Sequence, residues 1–151
     1  MARLAQAAPV LLLLLCALLW GLPPQAAAAG EGMPSAADHD AIRQVIEGQM
    51  AAFQRGDGAA AFAYASPGIQ AKFGDAETFM KMVETGYAPV YSPQEVEFRG
   101  IEMRGGTPIQ EVLVVGPDGQ PVKALYAMER QPDGSWRISG CVLVKAPDET
   151  V

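Results

Sequence analysis

The stretch ALYAMERQPDGSWRISGCVLV, residues 124–144, decides the fold. Two apolar runs flank QPDG, whose proline and glycine are typical of a turn, so the stretch predicts an antiparallel β-hairpin. Alternation along each strand assigns side chains to two faces. One face is predicted to carry Val122, Ala124, Tyr126 and Met128 on the first strand and Trp136, Ile138, Gly140, Val142 and Val144 on the second.

The opposite face of the hairpin is partly apolar as well, since it is predicted to carry Leu125, Ala127, Cys141 and Leu143. A sheet that is apolar on both sides needs a cover on each side. Helices can supply one cover, and a second subunit is a natural candidate for the other. The sequence therefore predicts a homodimer through the sheet.

The strand period of two extends upstream of the hairpin. The segment EVEFRGIEMR, residues 95–104, alternates in polarity and contains Gly100 at a plausible β-bulge. PIQEVLVV, residues 108–115, is a long apolar strand, and GPDGQ, residues 116–120, is a turn that leads into the hairpin. About four antiparallel strands are predicted at the end of the chain.

Helical periodicity precedes the strands. Residues 38–57 place apolar side chains on a single stripe, with Asp38 or Asp40 as the cap of the helix and Gly56 at its end. Two further helices are predicted over residues 58–66 and 76–86, separated by a linking turn at 67–75 and followed by an extended segment at 87–93. Helices followed by strands indicate an α+β domain, with three N-terminal helices packed on one face of a curved antiparallel sheet.

The N-terminal segment has the layout of a secretory signal. Arg3 is followed by an apolar run over residues 10–20 and by an alanine-rich end. We predict a signal peptide at 1–29, cleavage after Ala29, a flexible lead-in at 30–37, one domain at 38–146 and a tail at 147–151. An uncleaved membrane anchor is the alternative, although the apolar run is short for a bilayer span. The expected destination is the periplasm or the outside medium.

Charge and cysteine content limit the partners of the mature chain. Without Arg3, ten basic residues remain against seventeen acidic ones, a net charge of −7. An acidic domain without a basic run is a poor candidate for nucleic acid or for an anionic membrane, so neither is expected as a partner after cleavage. Cys141 is the only cysteine of the mature chain, and a lone thiol in an oxidising compartment is expected to be buried.

The chain resembles the nuclear transport factor 2-like superfamily, a cone-shaped α+β fold also called cystatin-like. FQRGDGAAAFAYAS and DGSWRISGCVLV carry this resemblance, which covers about residues 39–145. AIRQVIEGQMAAFQRGD, GYAPVYSPQEVEF and ERQPDGSWRISGCVLV further resemble a bacterial secreted group, domain of unknown function 4864. The resemblance implies that the last strands form a curved wall and that the helices close its mouth. It also implies either ligand binding or cofactor-free isomerase, dehydratase or hydrolase chemistry.

No specific catalytic motif of such enzymes matches this sequence, so the candidates are single residues. Glu111 shares a strand face with Ile109, Leu113 and Val115, where an acid can become a desolvated base; an edge position is the alternative. Four tyrosines are candidates for hydroxyl donors in a pocket: Tyr64, Tyr87, Tyr91 and Tyr126. The alternative is that they are buried in the core, each with one hydrogen bond.

Cofactors and metals are not expected. His39 is the only histidine and lies in a charged helix start, far in sequence from Cys141, so it does not predict a zinc site. The leading hypothesis is a non-catalytic exported domain that binds a small apolar ligand or a protein partner. An enzyme that uses Glu111 with tyrosine donors, and a purely structural or assembly module, are the alternatives.

Overall fold

The computed structural model describes residues 32–146. The predicted signal peptide at 1–29, its cleavage after Ala29 and the predicted tail at 147–151 lie outside the described residues. Within 32–146 the chain forms five helices followed by four strands. The helices are α1 (Ala36–Gln54), α2 (Gly58–Ala63), α3 (Pro67–Phe73), α4 (Ala76–Gly86) and α5 (Ala88–Tyr91), and the strands are β1 (Glu95–Arg104), β2 (Thr107–Val115), β3 (Pro121–Arg130) and β4 (Trp136–Lys145).

The α+β prediction is confirmed, because the strands form one antiparallel sheet in the order β1-β2-β3-β4 and the helices precede them. No helix in the described part of the chain is long and apolar enough to cross a membrane.

Helix α1 begins earlier than the sequence predicted. Ser35 caps it, and a capping box joins Ser35 and Asp38: the Asp38 backbone N–H donates to Ser35 Oγ, and the Ser35 N–H donates to the Asp38 carboxylate. The helix therefore starts inside the predicted lead-in, and neither Asp38 nor Asp40 is its N-cap. Its predicted end is confirmed, since Gly56 follows the helix with a φ of 67°.

Two segments that the sequence predicted as non-helical form short helices, so the prediction of three helices was too low. Ser66 caps α3 by accepting from the Ile69 N–H, and Pro67 occupies a first-turn position, where its missing N–H is not needed. Pro89 likewise lies in the first turn of α5, where a proline is compatible with helix. Both prolines thus lie in the first turn of a helix, whereas the sequence predicts a linking turn at 67–75 and an extended segment at 87–93.

Strand β1 contains the predicted bulge. Its register with β2 shifts between Phe98 and Ile101, around Gly100. The buried side chain of Gln110 on β2 donates to the carbonyls of Arg99 and Gly100, at 2.8 and 3.3 Å. Gln110 thus supplies hydrogen bonds that the interrupted ladder no longer provides.

A second bulge corrects the predicted faces of the hairpin. The register of β3 and β4 shifts between Ala127 and Met128, because Ala127 pairs with Gly140 and Met128 with Ile138. Alternation holds for Trp136 and Ile138, which are buried, and reverses after the bulge. Cys141 and Leu143 pack against the core, whereas Val142 and Val144 are 58% and 37% exposed on the outer face. The assignment of Val142 and Val144 to the face of Trp136 was therefore wrong.

The helices pack in two clusters, of which the larger lies against the inner face of the sheet. The larger cluster joins Ile42, Ile46 and Met50 of α1 to buried side chains of β2, β3 and β4. The smaller cluster lies among α1, α2 and α4 and includes Phe53 and Phe79, whose ring centroids are 6.2 Å apart. A short parallel bridge between Ala65 and Ile138 attaches the segment before α3 to β4.

Candidate functional site

A cavity of about 600 Å³, partly open to solvent, lies between the helices and the inner face of β3 and β4. Most of its wall is apolar. Its lining comprises Gln49, Phe53, Ala65, Ile69, Lys72, Phe73, Phe79, Met82, Val83, Tyr87, Val90, Tyr126, Ile138, Ser139, Gly140 and Cys141. Such a mainly apolar concave site with a few polar groups is typical of a small-molecule pocket, and its volume falls in the usual range.

The bulge in β4 shapes one wall of this cavity. Ser139 and Gly140 lie where the register shifts, and Cys141 follows on the inner face. The Ser139 hydroxyl donates to the Ala127 carbonyl at 3.1 Å, so it is already engaged within the sheet. The bulge thus places a thiol, rather than the valine that follows it, in the cavity wall.

Tyr87 and Cys141 connect the helical side of the cavity to the sheet. Tyr87 lies between α4 and α5, and its hydroxyl donates to the Cys141 carbonyl at 3.1 Å. Because the Tyr87 hydroxyl makes this bond to the backbone, its donor is committed to the fold.

Tyr126 is the second tyrosine of the cavity wall, and its hydroxyl differs from that of Tyr87 in its hydrogen bonding. The residue is 1% exposed, and its Oη has no hydrogen-bond partner among residues 32–146. Its polar neighbour is the Cys141 thiol, which faces Tyr126 across the β3–β4 pairing. The two groups interact closely enough to affect the pKa of both, although no hydrogen bond of normal geometry joins them. Burial, first of all, raises the pKa of Tyr126 well above its ordinary value, so the hydroxyl stays protonated.

Cys141 is half-buried in the wall, and burial raises the pKa of its thiol to about 12. Since the thiolate is the reactive form, this thiol is a weak nucleophile near neutral pH. The lone cysteine therefore behaves as a small wall residue.

Two further polar side chains line the cavity. Gln49 is buried on α1 and donates from Nε2 to the Ala61 carbonyl at 3.1 Å, which leaves one amide N–H and the amide oxygen beyond that bond. Lys72 is exposed at the end of α3, with its Nζ 5.6 Å from the Phe73 ring centroid. Among residues 32–146, Lys72 is the only charged side chain of the lining.

The structure divides the four predicted tyrosines into two pairs. Tyr87 and Tyr126 belong to the lining of the cavity. Tyr64 instead packs over α1 at Gly48, and Tyr91 packs on Phe53 with ring centroids 5.9 Å apart. Neither Tyr64 nor Tyr91 belongs to the lining, so their role is in packing.

Glu111 lies outside the cavity. It shares a face with Ile109 and Leu113, as predicted, but this is the outer face of the sheet, since the alternate residues of β2 are the buried ones. Glu111 Oε1 pairs with Lys123 Nζ at 2.9 Å, and both side chains are about 30% exposed. The hypothesis that Glu111 acts as a desolvated base in the cavity does not fit this position.

Several lining residues were not identified from the sequence. Gln49 does not belong to the predicted apolar stripe of α1. It is nevertheless buried, because α2 packs over that part of α1. Lys72 was placed in a linking turn, and the helical period of α3 is what brings it to the cavity. Alternation predicts Cys141 on the face opposite Trp136, and the β4 bulge instead places it on the inner face.

Metal binding has no obvious donor set here. Within the described residues, no group of three or more histidine, cysteine, aspartate or glutamate side chains is arranged to hold a metal ion.

No curated protein matches this chain. A crystal structure of an NTF-2 like protein of unknown function from Burkholderia xenovorans LB400 is similar: 18% identity over 73% of this chain and 90% of that chain, with a TM-score of 0.44. A family model described as Domain of unknown function (DUF4864) matches residues 35–151, and the chain therefore belongs to this family, as its sequence resemblance predicted.

Proposed function

We propose that this protein is an exported, non-catalytic domain that binds a small, mainly apolar ligand in the cavity between its helices and its sheet. The observation that carries the proposal is the cavity itself, about 600 Å³ in volume and walled by Phe53, Phe73, Phe79 and other apolar side chains. Burying the apolar surface of a ligand there is favourable by about 25 cal/mol per Å².

The chemistry of the wall favours binding over acid–base catalysis. No carboxylate or imidazole belongs to the lining within residues 32–146, so the usual general bases are missing from this site. The Cys141 thiol, with a pKa of about 12, is poorly suited to nucleophilic attack.

Export is part of the proposal and is supported by the sequence. Arg3, the apolar run at 10–20 and the alanines up to Ala29 match a cleavable signal peptide, and the mature chain is acidic. A carrier of an apolar molecule in the periplasm or outside the cell needs a charged surface to stay in solution. It also needs an apolar site that shields its ligand from water.

Native mass spectrometry of residues 30–151, purified after export from a bacterial host, tests the proposal. A discrete bound mass is expected. Met82→Trp, which enlarges a side chain of the cavity wall, should remove this mass, whereas Glu84→Trp places the same side chain on the exposed part of α4 and should retain it. If the wild-type protein carries no added mass and binds no apolar fluorescent probe, the proposal is wrong.

A second proposal concerns the outer face of the sheet: we propose that another copy of the chain covers it. Cross-strand pairing aligns Glu111, Leu125 and Val142 in one row and Leu113, Lys123 and Val144 in the next. The charges of these rows are paired: Glu111 with Lys123, and Glu97, which continues the second row on β1, with Arg99. Two such faces can therefore meet without a net repulsion between unpaired charges.

Sedimentation velocity over a range of concentrations tests the dimer. Val142→Lys, at the most exposed apolar position of this face, should shift the protein toward monomer. Val96→Lys is the matched control, because Val96 is 39% exposed but pairs with the buried Val114, away from the outer face. A monomer at high concentration for the wild-type protein would contradict the dimer.

A further inference from the structure

The Tyr126 hydroxyl is a buried donor without a partner. The residue is 1% exposed, forms part of the cavity wall, and has no hydrogen-bond acceptor for its Oη among the described residues. Buried polar groups in folded proteins nearly always have a partner, and each exception calls for a specific reason. Here the exception coincides with the one cavity in which a ligand is proposed.

The other polar groups of the wall do not form hydrogen bonds with this hydroxyl. Tyr87 donates to the Cys141 carbonyl and Ser139 to the Ala127 carbonyl, and neither is paired with Tyr126. The Cys141 thiol interacts with the hydroxyl and affects its pKa, but this contact lacks the geometry of a hydrogen bond. Sulfur is also a weak acceptor, and the pKa of about 12 keeps this thiol neutral. The donor of Tyr126 is therefore left for a group that enters the cavity.

We infer that the ligand of this cavity is an apolar molecule with one neutral oxygen acceptor, such as an aliphatic ketone or ester, which accepts a hydrogen bond from the Tyr126 hydroxyl. The inference rests on the proposed binding function and specifies its ligand class. A neutral acceptor is favoured over a carboxylate at this point, because a buried carboxylate requires a nearby cation. In the described part of the chain, the only charged lining residue is Lys72, which is exposed.

The geometry also explains why Tyr126, rather than Tyr87, selects the ligand. Removing the Tyr87 hydroxyl breaks a hydrogen bond within the protein. Removing the Tyr126 hydroxyl breaks none among the described residues and loses only the weak contact with the Cys141 thiol. Tyr126→Phe should consequently leave the thermal stability of the unliganded protein unchanged or slightly higher, since it removes an unpaired buried polar atom.

The test compares 2-octanone with octane, which differ by one carbonyl group. Their affinities are measured by displacement of the neutral fluorescent probe N-phenyl-1-naphthylamine from the mature protein. Tyr126→Phe should weaken the binding of 2-octanone by about three- to tenfold, the usual value of one neutral hydrogen bond, and leave octane unaffected. Tyr87→Phe, the matched control in the same wall, should change both affinities by the same factor.

The outcomes separate the inference from the function on which it rests. If neither the probe nor either molecule binds the wild-type protein, the proposed function fails. If both molecules bind but Tyr126→Phe affects them equally, or affects neither, the cavity binds apolar molecules and the inference about the acceptor is wrong. A melting temperature of Tyr126→Phe well below that of the wild type would also contradict the absence of a partner in the free protein.

Discussion

The Trp136 indole N–H donates to Asp38 Oδ1 at 3.1 Å, which joins two residues 98 positions apart in the chain. Arg130 extends the contact, with Nη1 3.5 Å from the same carboxylate oxygen and its guanidinium 5.6 Å from the indole ring. The first turn of α1 is thereby attached to both strands of the final hairpin. The sequence motif that predicted the hairpin therefore also holds the first helix against it.

Loss of the Trp136 indole should be among the most destabilising single changes. The residue is 7% exposed within the larger cluster, so Trp136→Ala should lower the free energy of unfolding by about 3–5 kcal/mol. Urea unfolding followed by circular dichroism measures the change. A loss below about 1 kcal/mol would contradict the burial of this side chain.

Acid stability should depend on Asp38. Hydrogen bonds from the Ser35 hydroxyl and backbone N–H, and then smaller effects of Trp136 and Arg130, hold the pKa of the Asp38 carboxyl below its ordinary value of 3.8. Because the folded-state pKa is the lower one, this stabilisation is complete above pH 3.8 and is lost as the pH falls through the folded-state pKa.

Asp38→Ala should therefore lower stability near neutral pH, by about 1 kcal/mol for the lost cap contact, and reduce the loss of stability on acidification. Unfolding free energies measured from pH 7 down to pH 2.5 test both effects. Asp40→Ala, an exposed aspartate of the same turn, is the control. Equal acid profiles for the two variants would exclude a specific role for Asp38.

Gly48 is required by the close approach of Tyr64. A Cβ at position 48 would collide with the Tyr64 hydroxyl and lie 2.6 Å from its Cζ. Gly48→Ala should thus destabilise the protein by about 1–3 kcal/mol, in spite of the higher helix propensity of alanine. Gly86→Ala, where no atom lies within 4 Å, should be neutral or stabilising. Equal melting temperatures for the two variants would contradict this packing.

The bulge of β1 should depend on Gln110. Its buried amide donates to the carbonyls of Arg99, Gly100 and Glu111. Gln110→Leu retains the approximate volume but removes these donors, so a loss of about 1–3 kcal/mol is expected from thermal or urea unfolding. Gln44→Leu, at an exposed position of α1, should change stability by less than about 0.5 kcal/mol. Comparable effects at the two positions would show that the bulge does not need this amide.

The sheet was predictable because its information is local. Alternation and turn chemistry place β2, β3 and the start of β4 without knowledge of any distant contact, and Gly100 indicates the first bulge. The second bulge, near Ser139, has a comparable signal in Gly140, but strict alternation treats this glycine as part of a regular strand. Its consequence is large, because a register shift of one residue exchanges Cys141 and Val142 between the two faces.

The candidate site was predictable only in part, for the same reason. Tyr87 and Tyr126 were identified as pocket donors by residue type, but nothing in the sequence distinguishes them from Tyr64 and Tyr91. Glu111 was placed among the right neighbours, yet alternation alone does not tell which face is covered by the helices. Those assignments depend on tertiary packing, which a single sequence does not contain.

Alkaline stability should depend on the two neighbouring acids of the cavity wall, Cys141 and Tyr126. Burial raises the pKa of the thiol from 9.0 to about 12 and that of the hydroxyl well above 10.0. The unfolded chain therefore ionises first, so the stability that these groups contribute is complete below pH 9 and declines as the pH rises from about 9 toward 12. Unfolding free energies of Cys141→Ala between pH 8 and pH 11 should decline less steeply than those of the wild type. Ser139→Ala changes a wall residue that does not ionise in this range and should keep the wild-type slope. An unchanged slope for Cys141→Ala would mean that the thiol is hydrated, and the cavity wall at the β4 bulge would then be more open than this structure has it.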